Sequence, residues 1–217
     1  MCGIAGSFNK ERAFELYKSN LNRGYYSSGA IITADRRHHL LFKRSGCFNE
    51  PAQWQSPTNN FPGLCYYLYH SRGPTVETKS YELVNNHPFY YNQWVVSHNG
   101  IVSNFEKLAR EHFPEEDLTG ATDSCIIPRL MYKFGITDGL SKLEGTFAVW
   151  AYNTKFDTLF ISRNSSTLYA NIKTGDFSST AFEGSVLLEE NSVYTLSGGA
   201  LVEMPVKIES KSPYFIL

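Results

Sequence analysis

The sequence predicts an α+β fold, with antiparallel strands as its main element. Three observations point there. Short apolar runs bounded by turn residues recur along the whole chain. Helical spacing of apolar residues is confined to two or three stretches. Strands and helices do not alternate in the βαβ rhythm of a parallel sheet. No internal repeat or low-complexity linker divides the 217 residues, which are read as one domain, 1–217.

The elements follow in order. Residues 2–9 read as a short buried strand. A helix is predicted over 11–22 from Phe14, Tyr17 and Leu21, with Gly24 just past its end. Ala30-Ile31-Ile32 and residues 40–43 form a hairpin around a polar DRRHH stretch. Residues 49–63 are rich in Asn, Pro, Gln and Ser, a surface loop. Residues 64–70 carry apolar and aromatic side chains on both faces, as a central strand does. Residues 75–88 are loop-like, and Trp94–Ser97 is a strand ending in His98-Asn99-Gly100. Ser103 and Glu106 have the spacing of a capping box, so a helix is predicted from Ser103. A further helix runs from Thr122 or Asp123 to before Gly135, delayed or kinked by Pro128, and a short one covers 138–144. Strands 147–152 and 158–162 form a second hairpin, and the last fifty residues hold short strands such as 193–196 and 201–203.

Composition excludes several function classes. A hydrophobic content of 42% can fill a sizeable core, and a net charge of −1 gives no bulk attraction for nucleic acid or a membrane surface. No apolar run approaches the roughly 18 residues of a membrane span. No basic-then-apolar signal pattern opens the chain, so a cytoplasmic protein is expected. Cys2, Cys47, Cys65 and Cys125 are well separated and are read as free thiols. His38, His39 and Cys47 lack the spacing of a closed zinc site, and neither metal nor cofactor is expected.

Cys2 follows the initiator directly. Removal of Met1 would leave a thiol and a free α-amine on one residue, a nucleophile beside a base, both titrating near neutral pH. The plainer reading of Cys2 is a buried residue of the first strand. Other separated pieces stand in order behind it: Arg23-Gly24-x-x-Ser27-x-Gly29, Arg72, His98-Asn99-Gly100, and Thr122-Asp123-Ser124. Taken singly, Asn99-Gly100 fits a hairpin turn and Asp123 fits a helix cap. Taken together, the pieces resemble the class II glutamine amidotransferase domain. The likeness is clear over 2–165 and loose over 166–217.

That resemblance implies a four-layer α-β-β-α sandwich of the N-terminal-nucleophile hydrolase type. It implies L-glutamine as substrate, hydrolysed to glutamate and ammonia through a Cys2 thioester. Asn99 and Gly100 would donate to the tetrahedral oxyanion. Arg72 would bind the α-carboxylate and Asp123 the α-ammonium, with Thr75 and His87 lining the pocket. Ser27 and Gly29 would pack beneath the first strand. Two departures stand out: Tyr26 or Ser27 falls where the family has an acidic residue, and Gly73 where an aromatic is common. Known members fuse this domain to one that consumes the ammonia. None fits in 217 residues, so a separate ammonia-accepting synthase or ligase is expected as partner. Phe89-Tyr90-Tyr91 and Pro213-Tyr214-Phe215-Ile216-Leu217 are candidate docking stretches. Two rival readings stand beside this one. One is a catalytically inactive relative that binds glutamine or a partner through the same fold. The other is an N-terminal-cysteine hydrolase of a different amide, which the Arg72 and Asp123 pair disfavours.

Overall fold

The computed structural model describes residues 1–35, 38–52, 65–73 and 82–209. Two antiparallel sheets form its centre. The seven-stranded sheet has the order β11-β9-β10-β1-β4-β2-β3. Its strands are β1 (Gly3–Ser7), β2 (Ser27–Asp35), β3 (His38–Ser45), β4 (Tyr66–Arg72), β9 (Tyr169–Ala170), β10 (Phe177–Ser178) and β11 (Val186–Leu187). The six-stranded sheet has the order β13-β12-β8-β7-β6-β5. It contains β5 (Phe89–Tyr91), β6 (Trp94–Val102), β7 (Gly145–Asn153), β8 (Thr158–Arg163), β12 (Ser192–Ser197) and β13 (Ala200–Lys207).

Side-chain alternation along the strands builds the layers. On β2, Ala30 and Ile32 face helix α1 (Lys10–Ser19), joining Phe14 and Tyr17 in one apolar cluster. Ile31 points the other way, into a cluster with Leu68 of β4 and Val95, Ala148 and Trp150 of the second sheet. The flanking residues of β6 and β7 (Trp94, Val96, Phe147, Val149 and Ala151) face helices α2 (Phe105–His112), α3 (Ile126–Phe134) and α4 (Ile136–Ser141). Three apolar interfaces thus separate four layers, α-β-β-α, as expected. Trp150 is fully buried and its indole N–H donates to the Tyr69 carbonyl at 3.1 Å, a polar tie between the sheets.

Several elements differ from their sequence expectations. Helix α1 starts at an Asn9 cap, whose side chain accepts the Arg12 N–H at 2.8 Å, and ends before Asn20 rather than at Gly24. Buried Asn20 turns its side chain outward to Ser178 and Thr180, at 2.9 Å each, so a tertiary demand ends the helix. The His98-Asn99-Gly100 motif lies inside β6, not at its end, because β7 pairs with it as far as Val102 opposite Gly145. Ser103 is not a helix cap. Its hydroxyl donates to the Glu144 carbonyl at 2.9 Å, and α2 begins two residues later. The predicted helix from Asp123 opens as a 3-10 turn (Asp123–Cys125) and becomes α3 at Ile126. Pro128 then falls in the first turn of α3, where its missing N–H costs nothing. The segment after Arg163 returns to the first sheet and places β10 beside β1, with Ala5 opposite Ser178. Most of the expected 49–63 loop lies outside the described residues.

Candidate active site

β1 and β4 run antiparallel, with Gly3 opposite Ser71, so Cys2 and Arg72 emerge side by side at one sheet end. The Cys2 thiol is half-buried and directed to the Gly73 carbonyl at 3.8 Å. The Cys2 carbonyl accepts from Arg23 Nε at 2.9 Å. Backbones cross here at contact distance. A Cβ on Gly24 would sit 2.1 Å from the Gly73 nitrogen, and one on Gly73 would sit 2.4 Å from the Met1 carbonyl oxygen. The Arg23-Gly24 motif therefore buttresses the Cys2 end of β1, and Gly73 is where it is because no side chain fits. Met1 is present in this structure and is 76% exposed.

Burial pushes the Cys2 thiol pKa up. The terminal ammonium and Arg72 pull it down, and Asp123 pushes it up. Arg72 and Asp123 come from different elements, yet both act on this one sulfur. The Arg72 Nη1 donates to Asn86 Oδ1 at 2.8 Å, and its guanidinium lies 5.8 Å from the Tyr26 ring centre. Among the described residues no carboxylate pairs with it.

The second sheet supplies the opposite wall. Asn99 is 4% exposed, and its side-chain Nδ2 has no hydrogen-bond partner among the described residues. Gly100 has φ +151°, and a Cβ there would meet the Thr146 carbonyl oxygen at 1.9 Å. Asp123 is held at one oxygen and open at the other. Oδ2 accepts the Val102 N–H at 2.6 Å, and Oδ1 lies 3.2 Å from the Ser124 hydroxyl. Ser124 Oγ is also 2.9 Å from His98 Nδ1, and His98 Nε2 is 3.1 Å from the Thr146 carbonyl. Only a protonated Nε2 suits that carbonyl. Burial lowers the His98 pKa, although Asp123 opposes this, so the ring is neutral with Nδ1 accepting from Ser124. The single Ser124 proton is then committed to His98.

Beneath these groups His70 and His87 stack at 3.9 Å between ring centres. His70 Nε2 donates to the His98 carbonyl at 3.2 Å, and burial pushes the His70 pKa down to about 3. Burial likewise drives His87 well down, and neither of its ring nitrogens has a partner among the described residues. A cleft of about 530 Å³ opens past Gly100, Ile101 and Asp123 toward Lys107 and Arg110 of α2.

Cys2 and Arg72 adjoin at one end of the first sheet, while Asn99 and Gly100 share β6 and Asp123 is bonded to Val102 of that strand. His87 lies in the buried stack below them. Thr75 lies outside the described residues, as does the 213–217 stretch. Ser27 and Gly29 do not pack under the first strand. Ser27 donates to Asn86, and a Cβ on Gly29 would sit 2.1 Å from the His87 carbonyl oxygen. Of Phe89-Tyr90-Tyr91, Phe89 is buried, Tyr90 is exposed, and the Tyr91 hydroxyl donates to Glu116 at 2.8 Å. Asn86, Ser124 and His70 were missed as site residues. Their signal was adjacency: Asn86 precedes His87-Pro88, Ser124 follows Asp123, and His70 shares a β4 face with Arg72. No described group of His, Cys, Asp or Glu has metal-binding geometry, and no described helix is long and apolar enough to cross a membrane.

Residues 82–187 match the glutamine amidotransferase domain family. The glutamine–fructose-6-phosphate aminotransferase (isomerizing) of Halalkalibacterium halodurans is 26% identical over 190 residues, covering 81% of this chain and 31% of that protein. The enzyme of the same name from Staphylococcus aureus is 26% identical over 208 residues, covering 89% of this chain and 34% of its own length. The chain is thus similar to class II glutamine amidotransferases, and the family match itself lies within residues 82–187. It spans about a third of the length of these curated relatives. The amidotransferase fold is also that of the glutamine phosphoribosylpyrophosphate amidotransferase from B. subtilis, with TM-score 0.69 and 16% identity over 94% of this chain and 49% of that one. A glutamine aminotransferase class-II domain protein from Silicibacter pomeroyi superposes with TM-score 0.55 and 14% identity, covering 95% of this chain and 99% of its own.

Proposed function

We propose that this amidotransferase domain hydrolyses the side-chain amide of L-glutamine through Cys2. The Cys2 thiolate attacks the amide carbon. The carbonyl π electrons move to oxygen, and Asn99 Nδ2 and the Gly100 N–H donate to that oxyanion. Collapse breaks the C–N bond, ammonia leaves with the proton taken from the thiol, and a γ-glutamyl thioester forms. Water then cleaves the thioester to give glutamate and restores the thiol. The base is the Cys2 α-amine, exposed once Met1 is removed. Arg72 takes the α-carboxylate and Asp123 the α-ammonium of the substrate, and His87 walls the pocket from below.

The observation that carries this reading is the Asn99 amide: a buried N–H donor with no partner among the described residues. Leaving such a donor unpaired costs about 1–3 kcal/mol, so it implies an acceptor to come. The experiment is a glutaminase assay of the wild type and Cys2→Ala, with the mass of the intact N-terminus. Activity in a chain lacking Met1, and its loss in Cys2→Ala, is the expected result. Equal activity in both proteins refutes the reading. Absence of activity with glutamine still bound would instead favour the inactive, glutamine-binding relative.

The ammonia is assigned to a separate acceptor synthase or ligase docked over the site, because free ammonia at neutral pH is mostly protonated and no nucleophile. A co-purifying enzyme that raises glutaminase turnover would bear this out. None of the four cysteines is in a disulfide, which suits a reducing, cytoplasmic setting.

A further inference from the structure

The turn over residues 82–88 touches both walls of the site. Asn85 accepts the Thr122 N–H at its side-chain oxygen (3.3 Å) and the Thr122 hydroxyl at its carbonyl (3.1 Å), immediately before Asp123. Asn86 reaches the other way and is 1% exposed. Its Oδ1 accepts from Arg72 Nη1 at 2.8 Å and from the Ser27 hydroxyl, while its Nδ2 donates to the Glu82 carbonyl. These contacts fix which end of the amide meets Arg72. The reversed amide would set N–H against the guanidinium and oxygen against a carbonyl.

We infer that Asn86 is a specificity-determining positioning residue, an uncharged acceptor that orients Arg72 while leaving its charge for a substrate carboxylate. The assignment rests on the reading of this site as a glutamine site. A guanidinium at this depth needs an acceptor to hold its plane. An aspartate would hold it more strongly in the empty protein. It would also neutralise the guanidinium and set a like charge beside the arriving α-carboxylate. Asn86 avoids both effects. The Tyr26 ring beside Arg72 is likewise a neutral contact at 5.8 Å. The chain has no acidic residue in the Tyr26-Ser27 pair, so this wall orients its cation without a carboxylate.

The test compares Asn86→Asp with Asn86→Ala. Aspartate is nearly isosteric with asparagine, whereas alanine removes the acceptor altogether. Glutamine KM is measured in the otherwise wild-type protein, and glutamine Kd by calorimetry in a Cys2→Ser background. Asn86→Asp is expected to raise both roughly ten- to a hundredfold, the range of one charge-assisted hydrogen bond, and to be worse than Asn86→Ala. A purely structural amide gives the reverse order, because the isostere preserves packing. Asn86→Ala equal to or worse than Asn86→Asp therefore overturns the inference and leaves the hydrolytic reading intact. If the wild type hydrolyses no glutamine but Cys2→Ser binds it with the expected order, the hydrolytic reading falls and the role of Asn86 stands. No glutamine binding by Cys2→Ser overturns both.

Discussion

On the six-stranded sheet, Asp123 is held at Oδ2 by the Val102 N–H, and His98, Ser124 and Thr146 lock the strand that carries Asn99 and Gly100. On the seven-stranded sheet, the Arg72 side chain among the described residues has a hydrogen bond to a neutral amide and a ring beside it, and Cys2 rests among crossing glycine backbones. One wall is fixed by a hydrogen-bond network, the other by close packing that leaves its charge uncompensated. The difference follows from what each wall must do under the proposed chemistry. An oxyanion donor works only if its position is set before charge develops. A ground-state cation works only if its charge is not already spent.

The comparison can be broken or sharpened by experiment, and the largest effect is expected at Asn99. Asn99→Ala should lower kcat by about 10²–10³ with little change in KM, since the donor acts on developing charge. Steady-state kinetics decide it, and a KM effect alone would move Asn99 to substrate binding. Arg72→Ala should show the opposite split, raising KM roughly a hundredfold while kcat changes far less. Gly24→Ala comes next. Its Cβ would meet Gly73 and Arg72 backbone, and overpacking of this kind costs about 1–3 kcal/mol, readable from urea unfolding.

A smaller, graded effect is expected from pH. Burial keeps His70, His87 and His98 neutral in the fold, with Arg72 and Lys43 also disfavouring charge on His70 and His87 and Asp123 favouring it on His98. The unfolded chain takes up protons at these residues near pH ~6.5, so below that pH it binds more protons than the fold. Stability is therefore full above this value and falls as pH drops toward about 3, where His70 itself titrates. The slope is up to about 1.4 kcal/mol per pH unit for each histidine. Urea midpoints that stay level between pH 7 and 5 would refute this. Ser103→Ala should be the mildest change, within about 0.5 kcal/mol, because the hydroxyl does not cap α2. A loss above about 1 kcal/mol would restore the capping role.

Much of this was legible one segment at a time. The Ala30-Ile31-Ile32 run gave β2, the 147–152 run gave β7, and the order of Cys2, Arg72, Asn99-Gly100 and Asp123 pointed to the site proposed for them. The misread parts share a cause. Ser103 has the spacing of a helix cap, but a carbonyl brought in from Glu144 competes for its hydroxyl. Gly24 looks like a helix stop, yet its lack of a side chain serves the Arg72-Gly73 backbone crossing. Asn86 carries no sequence mark of its own, since any polar residue suits a loop before Pro88.

Local pattern therefore determined the strands, the helices and the residue types available for chemistry, because periodicity and turn chemistry act within a few residues. Tertiary structure alone decided which polar groups are satisfied and which are left open. Among the described residues the Asn99 amide is unpaired and the Arg72 charge unmatched because two sheets, joined through Trp150, His70 and His98, set those groups apart from their neighbours. Burial and distance between remote segments control that outcome, and neither is a property of a short stretch of chain.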